Sequence, residues 1–187
     1  MIVGVLAFHG DFAEHIALLR SMKVDTREVR SVEDMKEISH LIIPGGESTV
    51  MSRFLTMTGL GAEIKQRVKK GTLPVYGTCA GAILLAKKIM RKNPPGSLGL
   101  MDITVERNAY GTQLQSFHAQ VSVKGMKKKI PVAFIRAPQI TFTGKDVEVL
   151  ATHGGHPVLV RQGRLLAGTF HPEVRGEKAI HEMFLSL

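Results

Sequence analysis

Apolar positions in the first half of the chain alternate between short continuous runs and stripes at helical spacing. Residues 1–8 form a short apolar run, rich in β-branched side chains and closed by Gly10, which predicts a buried strand. Asp11 stands where a helix N-cap belongs, and Phe12, Ile16, Leu19 and Met22 then recur at helical spacing. A second strand is expected over 24–29, and Ser31 can cap a short helix running to Lys36. The apolar run 40–43 is stopped by Pro44-Gly45-Gly46. Beyond it, helices are predicted from Ser48 through Leu55 and over 60–69, the latter ended by Gly71. A strand over 73–76 and a helix over 80–88 complete this half. Strands alternating with helices, joined by short turns, argue a parallel sheet covered on both faces.

The second half reads differently. Runs at 103–105, 121–123, 132–134, 147–149 and 157–160 are β-like and separated by turn residues. Gly163-Arg164 suits a hairpin turn before 165–167, and a helix is expected near 177–185. The stretch 93–97, with Pro94-Pro95-Gly96, is the most loop-like, yet it lies inside one domain rather than between two. With no repeat and no linker, residues 1–187 are expected to form a single domain.

Composition changes this picture little. One cysteine excludes an internal disulfide and fits a reducing compartment. No basic leader and no apolar run of spanning length is present, so the expected location is cytoplasmic, without membrane contact. The net charge of +9 admits an acidic or nucleic-acid partner. The densest cluster, Lys124 with Lys127, Lys128 and Lys129, has no interleaved aromatic residue for base stacking, which argues against nucleic acid. The cluster serves either as a docking surface or as a solvated loop.

The chemistry centres on the one cysteine. In Val75-Tyr76-Gly77-Thr78-Cys79-Ala80-Gly81-Ala82 a strand enters a helix through Gly-x-Cys-x-Gly, the spacing of a nucleophile elbow. Glycines two residues either side of Cys79 would admit a turn too tight for side chains. The helix start would favour the thiolate, and the Ala80 N–H would point where an oxyanion forms. His171, in Phe170-His171-Pro172-Glu173, is the candidate base. Glu173 is two residues on and can hold one ring nitrogen while the other faces Cys79. Pro44-Gly45-Gly46-Glu47-Ser48 is either an anion-cradling turn, with the Gly46 N–H as a second oxyanion donor, or an ordinary strand-to-helix turn capped by Ser48. His153 and His156 lack companion ligands and read as a loop, Glu14-His15 reads as a helix face, and no metal site is expected.

Taken together, Gly77-Thr78-Cys79-Ala80-Gly81 and His171-Pro172-Glu173 resemble the class I glutamine amidotransferases. The likeness is closer to the glutaminase subunits of pyridoxal 5'-phosphate synthase. It runs through Gly4-Val5-Leu6-Ala7, Gly45-Gly46-Glu47-Ser48-Thr49, Glu106-Arg107-Asn108-Ala109-Tyr110-Gly111 and Ile135-Arg136-Ala137-Pro138. The resemblance implies a three-layer flavodoxin-like α/β domain, mostly parallel with antiparallel additions, and a triad of Cys79, His171 and Glu173. It further implies that Gly46, Glu47, Ser48, Arg107, Ile135 and Arg136 bind L-glutamine, that Gly46 and Ala80 form the oxyanion hole, and that no cofactor is required. The ammonia would pass to a synthase (lyase) subunit making pyridoxal 5'-phosphate, in vitamin B6 biosynthesis. Departures occur at Phe8-His9, where the family usually has Leu-Gln, at His118, and at Val174-Arg175-Gly176. Two other readings stay open: glutaminase or γ-glutamyl hydrolase activity for a different acceptor, and a non-catalytic basic interaction module.

Overall fold

The computed structural model describes residues 1–91, 94–107 and 116–187. Strands β1 (Ile2–Leu6), β2 (Asp25–Val29), β3 (His40–Ile43), β4 (Val75–Thr78) and β12 (Leu165–Gly168) pair in parallel in the order β2-β1-β3-β4-β12. Beyond β12 the sheet continues antiparallel through β11 (His156–Gln162) and β10 (Glu148–His153). Every residue of β3, β4 and β12 is buried, as strands covered on both faces require.

Alternate residues serve the two faces. Val3, Val5, Ile42, Tyr76 and Leu166 pack with Ile16 and Leu19 of α1 (Phe12–Ser21) and with Ile180 and Phe184 of α5 (Ala179–Leu185). Leu6, Leu41, Ile43, Val75 and Ala167 face α2 (Ser48–Met57), α3 (Leu60–Lys69) and α4 (Ala80–Leu85). This is the flavodoxin-like three-layer α/β arrangement. Among the described residues no helix is long and apolar enough to cross a membrane.

The remaining strands form two small sheets. β5 (Ala86–Met90), β6 (Met101–Glu106) and β9 (Gln139–Thr143) make one, and β7 (Ser116–Val121) pairs with β8 (Ile130–Ile135) in the other. The helix expected over 80–88 stops at Leu85. Ala86 turns extended (φ −61, ψ 141), and the carbonyls of Leu84 and Leu85 accept from the N–H groups of Leu98 and Leu100 instead of continuing the helix. Ala86 and Ile89 are buried while Lys87 and Lys88 are exposed, a helical spacing that the strand accommodates through a register shift between Ala86 and Lys88. The strand expected over 121–123 runs instead from Ser116 to Val121, and β9 has no counterpart among the expected strands. Asn93 of the expected loop lies outside the described residues; residues 94–97 carry neither helix nor strand.

Local signals explain the ends of several elements. Gly71 (φ +70) closes α3 with paired bonds, Gly71 N–H to Val68 O and Thr72 N–H to Arg67 O. Gly154 and Gly155, both with positive φ, join β10 to β11 in a two-residue turn between His153 and His156. Glu47, not Ser48, caps α2: its Oε2 accepts from the Val50 N–H at 2.8 Å. Asp11 occupies the N-cap position of α1 but makes no side-chain capping bond.

Two glycines make a contrast that denaturation can read. A Cβ on Gly81 would sit 2.0 Å from the Ile43 carbonyl oxygen, whereas one on Gly163 (φ +57) meets nothing within 4 Å. Gly81→Ala should cost at least about 3 kcal/mol through backbone displacement. Gly163→Ala should cost only about 1 kcal/mol of left-handed strain. Urea unfolding of both variants checks the order and the gap.

Candidate active site

The carboxyl ends of β1, β3, β4 and β12 converge on one edge of the sheet, where the strand order reverses and open α/β sheets carry their ligands. A cleft of about 410 Å³ opens there. It is lined by His9 and Asp11 after β1, by Gly46, Glu47 and Ser48 after β3, and by Cys79 and Ala80 after β4. Arg107, Ile135, Arg136 and His171 complete it. Every residue expected from sequence to build a glutamine site is therefore in this cleft except Glu173, which lies behind His171.

Cys79 has φ 48 and ψ −101, a left-handed conformation that an L-residue adopts only under constraint. The constraint is the approach of backbone to backbone. Gly81 rests on the Ile43 carbonyl, and a Cβ on Gly77 would lie 2.6 Å from the Gly81 carbonyl group. The helix that follows is only six residues long, so the N–H groups of its first turn, rather than a long dipole, supply the local positive potential. Cys79 Sγ lies 3.8 Å from the Ile135 carbonyl oxygen, on the far wall.

His171 is fixed by a bridge to β8: its N–H donates to Ala133 O at 2.7 Å. Its Nδ1 is 2.7 Å from Glu173 Oε1 and 3.3 Å from Asp11 Oδ2. The i, i+2 relation survives although Glu173 begins a 3-10 turn rather than continuing an extended segment. Burial alone would push His171 down, but Asp11, Cys79 and Glu173 outweigh it and raise it to about 12. Burial raises Glu173 above the usual carboxylate range, with the His171 interaction opposing. Asp11, His171 and Glu173 also cluster as metal ligands would. Both carboxylates converge on one ring nitrogen at hydrogen-bond distances, so a proton already occupies the position a cation would take.

On the opposite wall, Arg107 is ion-paired to Glu47 Oε1 at 2.9 Å and reaches Thr49 Oγ1 at 3.3 Å. Burial would raise Glu47, but bonds from Val50, Thr49 and Arg107 hold it below its ordinary value. Arg136 is exposed, with φ 44, a second non-glycine residue in the left-handed region on this cleft. Asn108, Ala109, Tyr110 and Gly111, part of the resemblance, lie outside the described residues. The lysine cluster sits at the start of β8, roughly 17 Å of strand away from the cleft end at Ile135. There Lys124 pairs with Glu148.

Sequence reading missed what lies behind the triad. His15 is fully buried rather than on a helix surface. Its Nδ1 is 2.9 Å from His181 Nε2, and its Nε2 is 3.1 Å from Thr78 Oγ1 and 3.5 Å from Glu173 Oε1. The network joins α1, α5, the residue before Cys79, and the carboxylate that holds His171. The available signal was positional: His15 lies within the apolar stripe of α1, and His181 between Ile180 and Phe184 on α5. His9 was also underread; its Nδ1 accepts from the Glu47 N–H at 3.3 Å.

The fold is that of the glutamine amidotransferases. The structure superposes on a crystal structure described as a glutamine amidotransferase with a TM-score of 0.95 and 44% identity, covering 100% of this chain and 98% of that one. The structure of PurLQS from Thermotoga maritima, at TM-score 0.73 and 15% identity, shares the fold over 99% of this chain and 97% of its own. The chain belongs to the SNO glutamine amidotransferase family, whose model matches residues 5–187. Among curated relatives, the pyridoxal 5'-phosphate synthase subunit PdxT of Thermosipho africanus is 48% identical, over 100% of this chain and 98% of its own length. That of Thermus thermophilus is 46% identical, over 100% and 97%.

The buried histidines give the site a pH signature. Burial, then the charges of His181 and His171, hold His15 well below its ordinary value; burial lowers His181 to about 4 against a bond to Glu177. Both are therefore neutral in the native state where the unfolded chain, with histidines near 6.5, takes up protons. Stability should fall as pH drops from about 6.5 to about 4.5, with two or more protons taken up on unfolding, each costing about 1.4 kcal/mol per pH unit. His40, also depressed by burial, adds to the slope. His181→Asn should remove about one proton from it, measured by urea unfolding across that range.

Proposed function

We propose that this protein hydrolyses L-glutamine to L-glutamate and ammonia and delivers the ammonia to a synthase subunit that makes pyridoxal 5'-phosphate. The observation that carries this reading is Cys79, held left-handed on an elbow and acting directly on His171, which Glu173 holds from behind, in a cleft of small-substrate size. The family membership and the names of the relatives supply the substrate class and the partner. Residues 1–187 act in this reading as one amidotransferase domain.

The chemistry follows from the geometry. The Cys79 thiol gives its proton to His171, and the resulting thiolate attacks the side-chain amide carbon, forming a C–S bond as the carbonyl π pair moves to oxygen, where the N–H groups of Gly46 and Ala80 receive the oxyanion. The tetrahedral intermediate collapses as His171 gives its proton to the departing nitrogen, releasing ammonia and leaving a glutamyl thioester. A water then attacks the thioester; His171 takes its proton, the C–S bond breaks and glutamate leaves. Glu173 holds Nδ1 so that the ring's other nitrogen serves these transfers.

The α-carboxylate and α-ammonium of glutamine need opposite charges on the wall facing Cys79. Arg136, in strained backbone at the mouth, is suited to the carboxylate. Glu47 and the Ile135 carbonyl are suited to the ammonium. Arg107 serves Glu47 more directly than substrate, because its guanidinium is already committed to Glu47 and Thr49.

Ammonia release from glutamine, measured with and without the pyridoxal 5'-phosphate synthase partner, tests the reading. Cys79→Ala should lose at least about 10³ in kcat in the complex. Retained turnover would refute the thiol mechanism, and turnover supported by a different synthase but not by this partner would refute the assigned acceptor. Arg136→Ala should raise KM about tenfold or more with a smaller change in kcat, the mark of lost ground-state binding.

A further inference from the structure

The segment that follows β1 touches both halves of the cleft. His9 Nδ1 accepts from the Glu47 N–H at 3.3 Å, and the Asp11 N–H donates to Gly45 O at 3.4 Å. Between them Gly10 (φ +89) lies so close that a Cβ there would stand 1.8 Å from the Gly45 oxygen. Gly45 in turn lies against the base: a Cβ on it would be 2.3 Å from His171 Cε1 and 2.7 Å from Asp11 Oδ2. Asp11 occupies the N-cap position of α1 without capping it, and its Oδ2 is turned to His171 Nδ1 at 3.3 Å.

We infer that Asp11 is a second positioning carboxylate for His171, held there by the same turn that fixes the glycine wall of the cleft. The inference deepens the proposed function, since it rests on His171 being the base.

Asp11 and Glu173 differ in kind. Glu173 has no exposed side-chain surface, and burial works against its charge. Asp11 is about a third exposed, and its bond to His171 holds it below the ordinary carboxylate value, with burial opposing. Asp11 is therefore the more securely ionised of the two at neutral pH. The titratable groups around the ring are Asp11 from the β1 end, Cys79 from the elbow and Glu173 from the 3-10 turn, with His15 of α1 behind Glu173; His9 acts on Asp11. Of these only Asp11 can be neutralised by an isosteric change without touching the triad. With both carboxylates in place His171 is held as the imidazolium, the form that protonates departing ammonia. Loss of the Asp11 charge would release that proton at lower pH and move the alkaline limb of kcat/KM with it.

The test is the titration of His171 in the full chain labelled at histidine with ¹³C and ¹⁵N, its ring signals assigned by their loss in His171→Asn. In the unaltered protein the ring should stay protonated through about pH 9. In Asp11→Asn the midpoint should fall by about one pH unit or more. Asp11→Ser, which restores a capping side chain to α1, should lower it equally, so that a structural role in the helix end is separated from the charge. Asp11→Glu should recover part of the shift. An unchanged His171 midpoint in the Asn and Ser variants would overturn the inference. Because no glutamine or partner is present, that failure would leave the glutaminase reading standing; Cys79→Ala in the ammonia assay tests that reading separately.

Discussion

The close approach of three backbone segments is the constraint on which the rest of the site depends. Gly81 leaves no side chain between the first turn of α4 and the Ile43 carbonyl, and Gly77 leaves none between β4 and Gly81. Only at that spacing can the chain leave β4 and enter a helix in a single residue, and that residue is Cys79, forced to φ 48. The strain is sustained because β3, β4 and β12 are buried at every position and cannot yield. A nucleophile projected by rigid backbone costs little entropy to aim, which is what proximity catalysis demands.

Charge is arranged around this fixed point in graded burial. Outermost, Glu47 and Arg107 pair at the partly exposed wall, and Glu47 caps α2. Next, His171 sits between Cys79 and two carboxylates. Deepest, His15 and His181 are neutral imidazoles that carry hydrogen bonds where a full charge would be too costly to bury. Thr78 links this inner layer to the elbow, because its hydroxyl meets His15 and its peptide bond leads into Cys79. The nucleophile and its base thus share one buried polar foundation.

Much of this was legible in the sequence. Short apolar runs and helical stripes located the parallel strands and α1, α2, α3 and α5, and the glycine spacing located the elbow. The failures have physical causes. Buried positions three apart at Ala86 and Ile89 mimic the end of a helix, but the 98–100 segment takes the carbonyls of Leu84 and Leu85. Asp11 looks like a helix cap because an N-cap and a partner for a distant histidine require the same residue type. His15 was unreadable as a network member since its partners lie 63 and 166 residues away. Non-local polar contacts leave no periodicity, whereas hydrophobic faces do.

The central claim is that Cys79 is an aimed nucleophile for a glutamine side chain. Mass spectrometry after incubation with a glutamine-like electrophile, a γ-diazoketone or γ-chloroketone analogue, addresses it most directly. A single adduct mapped to Cys79, slowed by excess L-glutamine and by His171→Asn, is the expected result. No adduct in the presence of the synthase partner, or labelling that glutamine does not slow, would contradict it.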